Sequence, residues 1–189
     1  MHRIPCSIPD IAIITPDHSV DDRGWFAETY SINTPAYTAL FPSGIQQIST
    51  STSRVGVVRG LHCQPGMAKL MWVISGMARI INVDTRPTSL TFRKYVSIDM
   101  TADMGIGVYA PDWCARGFVA MQPNTQILYY HSAPHDPTTA VTINPFDPTL
   151  HIDWGIPLTM QPILSDKDKR APLLDDILGQ HPWLLTTPE

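Results

Sequence analysis

The feature that most constrains this chain is its shortage of the residues that build exposed helix faces. Its 189 residues hold only two glutamates (Glu28 and Glu189) and four lysines (Lys69, Lys94, Lys167 and Lys169). These straight-chain residues lose little rotamer freedom in a helix and usually furnish its solvent side. Without them, long amphipathic helices are not expected. The acidic residues are mostly Asp, and together with 18 Pro and many Ser and Thr they punctuate short runs rich in Val, Ile, Tyr and Phe. That pattern belongs to short strands joined by turns, so the chain reads as all-β.

Alternation and turn signals place strands at 11–15, 25–30, 45–49, 57–61, 70–75, 77–84, 92–98, 106–110, 117–121 and 126–131. A set this size fits a sandwich or a barrel. Ser75-Gly76 reads as a hairpin turn, residues 21–24 as another turn, and residues 84–87 as a strand end followed by a loop. One helix is expected at 171–178, with Leu173, Leu174, Ile177 and Leu178 on one side, Gly179 as a stop and Pro182 beyond. No linker, repeat or low-complexity tract interrupts the chain, so it is drawn as one domain over 1–189 with a C-terminal appendage at about 162–189.

A net charge of -4 and a pI near 5.9 offer no basic stripe for nucleic acid. No apolar run approaches the roughly 18 residues of a membrane span. The first nine residues lack the apolar core of an export signal, and three cysteines (Cys6, Cys63, Cys114) form no complete disulfide framework. A soluble cytoplasmic protein with reduced thiols is expected.

Chemically useful side chains concentrate in three stretches. In Val57-Val58-Arg59-Gly60-Leu61-His62-Cys63-Gln64, followed by Lys69, an apolar strand carries a cation, an imidazole and an amide toward one end. Strict alternation sends His62 and Gln64 to one face and Arg59 to the other, unless Gly60 hosts a bulge that turns both inward. In Gln126-Ile127-Leu128-Tyr129-Tyr130-His131, period two puts Tyr129 and His131 on one face and Tyr130 on the other. A register slip of one residue would exchange the tyrosines. The third stretch, residues 164–170, reads as a solvated charged loop. Each piece also has an ordinary reading. His62 alone suits a hydrogen-bonded structural histidine, Arg59 a surface ion pair, and Tyr129 aromatic packing.

Taken together, Asp22-Arg23-Gly24-Trp25-Phe26, Val58-Arg59-Gly60-Leu61-His62, Arg116-Gly117-Phe118, Tyr129, and Leu164-Ser165-Asp166-Lys167-Asp168 with Ala171-Pro172-Leu173-Leu174 resemble the dTDP-4-dehydrorhamnose 3,5-epimerase family, in order across the chain. The resemblance implies a cupin-type jelly-roll barrel, a homodimer that exchanges N-terminal strands, no cofactor, and a nucleoside-diphosphate 4-keto-6-deoxyhexose as substrate. It also implies roles. His62 becomes the general base, Asp168 the carboxylate that orients it, Tyr129 the acid on the opposite sugar face, and Lys69 the cation that stabilises the enolate. Arg23, Gln47 and Arg59 match positions that hold the nucleotide and its diphosphate, with Glu28 and Arg116 completing the expected substrate contacts.

The residue types suit this work. A neutral imidazole can take a proton from carbon beside a ketone if a carboxylate fixes its tautomer. An ammonium in a water-poor cavity then favours the oxyanion. Departures fall around these groups: Arg116 replaces a family histidine, Ser49-Thr50-Ser51 replaces Asn-His-Ser, Cys63 replaces an aromatic, Trp72 an arginine, and Pro134-His135 a tyrosine pair. Arg116 also stands where a metal-binding cupin has its later histidine, so no metal is expected, although His131, His135 and Cys63 offer alternative ligands. Two other functions stay open at the level of sequence: a metal-dependent cupin oxygenase or isomerase, and a sugar-nucleotide binding protein without turnover.

Overall fold

The computed structural model describes residues 1–181. Its strands are β1 (His2–Pro5), β2 (Ala12–Thr15), β3 (His18–Asp21), β4 (Gly24–Ala27), β5 (Gln47–Ser53), β6 (Val58–Cys63), β7 (Lys69–Ser75), β8 (Met77–Asp84), β9 (Tyr95–Thr101), β10 (Gly107–Ala110), β11 (Cys114–Ala120), β12 (Thr125–His131) and β13 (Val141–Thr142). The helices are short: α1 (Pro35–Leu40), α2 (Asp166–Lys169) and α3 (Leu174–Leu178). Among the described residues none is long and apolar enough to cross a membrane.

Two sheets form the body. One has the order β1-β2-β10-β7-β12-β5 and the other β13-β6-β11-β8-β9, while β3 and β4 form a separate hairpin. This all-β architecture is the cupin-type jelly roll that the family resemblance implies.

Period-two alternation explains the layering. From β7, Met71 and Val73 enter one core cluster with Ile80, Phe118 and Ile127. Leu70 and Trp72 turn to the opposite face and pack with Tyr37 and Phe41 from α1 and its C-terminal end. On the outer face of the second sheet, Ile81, Val83 and Val119 pack beneath Trp154, Leu174 and Ile177. Both sheets are thus covered on two sides. Burying each large apolar side chain contributes about 1.5–3 kcal/mol.

Several elements depart from the sequence reading. The 166–169 stretch is helix α2 instead of a solvated loop: Ser165 Oγ accepts a hydrogen bond from the Asp168 amide, and acidic residues occupy the first turn with lysines in the last. The helix expected at 171–178 begins at Leu174, because Leu173 is extended and acts as the cap. Pro182 lies outside the described residues. Helix α1 was not expected, and neither was β1, whose four residues are all exposed and show no apolar alternation. β11 starts at Cys114 and is buried on both faces along its whole length. β9 starts only at Tyr95, since the loop before it is gathered by Asp84, which accepts hydrogen bonds from Arg86, Ser89 and Thr91.

Candidate active site

The second sheet supplies the imidazole. β6 pairs with β11 so that His62 faces Arg116 while Arg59 faces Phe118, which gives β6 one extra residue. The bulge falls at Gly60, as the sequence allowed. Gly60 has φ 132°, and a Cβ there would lie 2.6 Å from the Gly117 Cα, so two glycines let the strands approach backbone to backbone. The consequence is that Arg59 and His62 line the same cavity, although they are three residues apart.

His62 Nε2 lies 2.8 Å from Asp168 Oδ1. Asp168 is 3% exposed, held by the turn of α2. Burial is the largest influence on its carboxyl and pushes the pKa up. Hydrogen bonds from His62, Ser165 and the Gly60 amide outweigh it and hold the group below the usual carboxylate value. The His62 side chain keeps 40% exposure in the isolated chain. With Nε2 engaged, Nδ1 is the ring nitrogen left for a ligand.

Across the cavity, the first sheet supplies Tyr129 and Lys69. Tyr129 points inward and its hydroxyl lies 2.9 Å from Ser51 Oγ. Burial pushes its pKa up against the opposing effects of Ser51 and Arg59, so the phenol stays protonated. Tyr130 turns outward and lies 2.8 Å from Thr29 Oγ1. Lys69 is mostly buried, and desolvation followed by the nearby Arg116 guanidinium pushes its pKa down to about 7.

The cavity has a volume of about 650 Å³. Arg59 at its mouth donates to Ser53 Oγ and the Thr52 carbonyl. Arg54, which the sequence reading did not single out, and Lys167, to which it gave no role, add further cationic groups to the lining. Arg116 is 3% exposed and donates to the carbonyl oxygens of Met67 and Asp112, so it ties two loops together while lining the cavity. Gln47 lies beside the cavity: its amide donates to Ser49 Oγ and accepts from the His135 amide N–H.

Arg23 and Glu28 are not brought to this cavity within one chain. Arg23 is exposed in the β3–β4 turn and pairs with Asp21, whereas Glu28 accepts from Thr34 Oγ1. Cys63 is packed into the core, and burial pushes its thiol up to about 12, which disfavours the nucleophilic thiolate. Gln64 bonds the loop at Pro134 and Asp136. Among the described residues no group of three or more His, Cys, Asp or Glu is placed to hold a metal ion.

An imidazole backed by a carboxylate on one wall, and a protonated phenol with an ammonium on the other, can remove a proton from carbon and return one from the opposite side. Comparisons with known proteins agree with this chemistry. Residues 5–176 match the family model described as dTDP-4-dehydrorhamnose 3,5-epimerase. The dTDP-4-dehydrorhamnose 3,5-epimerase of Mycobacterium tuberculosis is 34% identical over 173 residues, covering 90% of this chain and 86% of the relative. The dTDP-4-dehydrorhamnose 3-epimerase of Streptomyces niveus is 32% identical over 177 residues, covering 92% and 84%. The crystal structure of the 3,5-epimerase from Legionella pneumophila in complex with dTDP-4-keto-L-rhamnose superposes with a TM-score of 0.88 at 30% identity, covering 100% of this chain and 98% of that one. With fold, site chemistry and near full-length similarity in agreement, the chain belongs to the dTDP-4-dehydrorhamnose 3,5-epimerase family.

Proposed function

We propose that this protein is a carbohydrate epimerase, an isomerase that inverts C3, C5 or both in a nucleoside-diphosphate 4-keto-6-deoxyhexose, and that dTDP carries the sugar. The observation that carries this reading is the opposition of two proton-handling groups across one cavity: His62 with Asp168 on one side and Tyr129 on the other.

His62 takes the proton from carbon beside the ketone, and the C–H electron pair moves into the ring to place negative charge on the ketone oxygen. Lys69 stabilises that enolate, and Asp168 stabilises the imidazolium. Tyr129 then returns a proton from the opposite face, inverting the centre. Exchange with water resets His62 and Tyr129. Arg59, Arg54 and Lys167 suit the diphosphate at the mouth. No step requires a redox cofactor, because substrate and product have the same oxidation state.

A homodimer completes the site in this reading. The β3–β4 hairpin stands apart from both sheets and exposes Val20 and Phe26, at 77% and 74%, with Trp25 half exposed. Such a surface suits burial against a second copy, and it would carry Arg23 and Glu28 toward the partner's cavity. The three free thiols suit the reducing cytoplasm. The test is incubation with dTDP-4-keto-6-deoxyglucose in heavy water: label is expected at C3, C5 or both, and the absence of label at both carbons removes the proposal.

A further inference from the structure

His131 is the residue of this cavity that the mechanism does not use. It stands on β12, in direct register with Lys69 of β7 and Gln47 of β5, on the same inward face as Tyr129. Its ring lies 6.0 Å from the Tyr129 ring, and it lines the cavity while 5% exposed. Both ring nitrogens are shielded and have no hydrogen-bond partner among the described residues. Buried polar atoms are rarely left unpaired, and a position that tolerates two is a candidate for a partner supplied from outside the chain.

The surroundings determine what that partner offers. Burial, with the positive neighbours Lys69, Arg116 and His135, pushes the imidazole down to about 3, so it is neutral at ordinary pH. A neutral imidazole has one acceptor nitrogen and one N–H donor, whereas Lys69 and Arg116 only donate. This end of the cavity therefore presents a donor for a carbonyl oxygen and, one strand away, an acceptor for a hydroxyl. In a 4-keto-6-deoxyhexose only one neighbour of the ketone carries a hydroxyl, namely C3, since C5 bears the ring oxygen and a methyl group.

We propose that His131 is a specificity-determining residue that accepts a hydrogen bond from the C3 hydroxyl of the sugar while Lys69 beside it takes the ketone oxygen. The inference rests on the epimerase reading above and adds a requirement to it: the sugar must keep its C3 hydroxyl.

The experiment compares hydrogen exchange at C3 and C5, in heavy water, for dTDP-4-keto-6-deoxyglucose and for its 3-deoxy counterpart, in wild type, His131→Leu and His131→Gln. Wild type is expected to favour the hydroxylated sugar by about tenfold or more in kcat/KM. His131→Leu is expected to lose that preference by slowing on the hydroxylated sugar while staying within about twofold on the deoxy sugar, and His131→Gln, which keeps an acceptor, to recover part of it. His131→Leu should bind dTDP and melt no lower than wild type, because no protein hydrogen bond is lost. Equal slowing on both sugars, or a wild type indifferent to the C3 hydroxyl, overturns the assignment while leaving the epimerase reading intact. A wild type that exchanges neither C3 nor C5 of either sugar overturns both.

Discussion

His62 Nε2 and Asp168 Oδ1 stand 2.8 Å apart although 106 residues separate them, and the carboxylate lies on a helix of four residues. In the proposed mechanism this pairing fixes the imidazole tautomer and leaves the other ring nitrogen for substrate, so a segment outside both sheets aims the proposed base. Replacing Asp168 with Asn keeps the shape but removes the charge that stabilises the imidazolium. Hydrogen exchange is expected to fall by about 10²–10⁴-fold with substrate binding little changed, measured as kcat against KM. Exchange within a few-fold of wild type would show that His62 works without the carboxylate.

Tyr129→Phe separates the two halves of the reaction. The variant loses the proposed proton donor and the contact with Ser51, and keeps His62, Asp168 and Lys69. It is expected to wash deuterium into substrate while forming inverted product at least tenfold more slowly, seen by NMR as label retained without inversion. An unchanged ratio of inversion to wash-in counts against the phenol as donor.

Lys69 couples activity and stability to pH in opposite directions. Its pKa falls from 10.5 to about 7 on folding, so between those values the unfolded chain binds more protons than the native one and stability rises with pH through that window. The ammonium that the proposed mechanism uses is lost over the same range, so exchange by the free enzyme should decline as pH rises through about 7. Lys69→Met is expected to slow exchange strongly, to remove the rise in stability, and to stabilise the fold near pH 7 by up to a few kcal/mol. Denaturant melts of both proteins from pH 6 to 10 check this. Parallel curves would mean that Lys69 keeps its ordinary pKa.

Gly60→Ala tests the bulge. The added Cβ would meet Gly117 Cα at 2.6 Å and the Arg116 carbonyl oxygen at 2.9 Å, at a φ that L-residues rarely adopt. A loss of about 2 kcal/mol or more is expected in thermal unfolding, together with loss of exchange as His62 shifts. Wild-type stability in this variant is inconsistent with the described strand approach.

Much of this arrangement was legible in the sequence where a local rule operates. Tyr129 and His131 share a face because side chains alternate along β12, and the glycine between Arg59 and His62 marked the bulge that brings them together. What the residues alone could not show is non-local. Nothing in spacing joins Asp168 to His62, and the resemblance to the family supplied that pair. The charged run around Asp168 read as a loop because its cap, Ser165, stabilises only one turn. Helix α1 has six residues and no acidic first turn, so its stability comes from burying Tyr37 and Leu40, which local sequence does not reveal. Ser51, named in the sequence only as part of the Ser49-Thr50-Ser51 segment and given no role, lies 2.9 Å from the Tyr129 hydroxyl through pairing between β5 and β12. Arg23 and Glu28 matched the family's pattern but lie away from the cavity of their own chain, which a second copy would account for.

The account stands or falls on His62 as the base, and the direct measurement is deuterium incorporation at C3 and C5 of dTDP-4-keto-6-deoxyglucose by wild type and by His62→Asn, with dTDP affinity as the control for folding. Rapid labelling by wild type is expected, with a loss of at least a hundredfold at both carbons in the variant and dTDP still bound. Labelling by His62→Asn at a rate near that of wild type would contradict it.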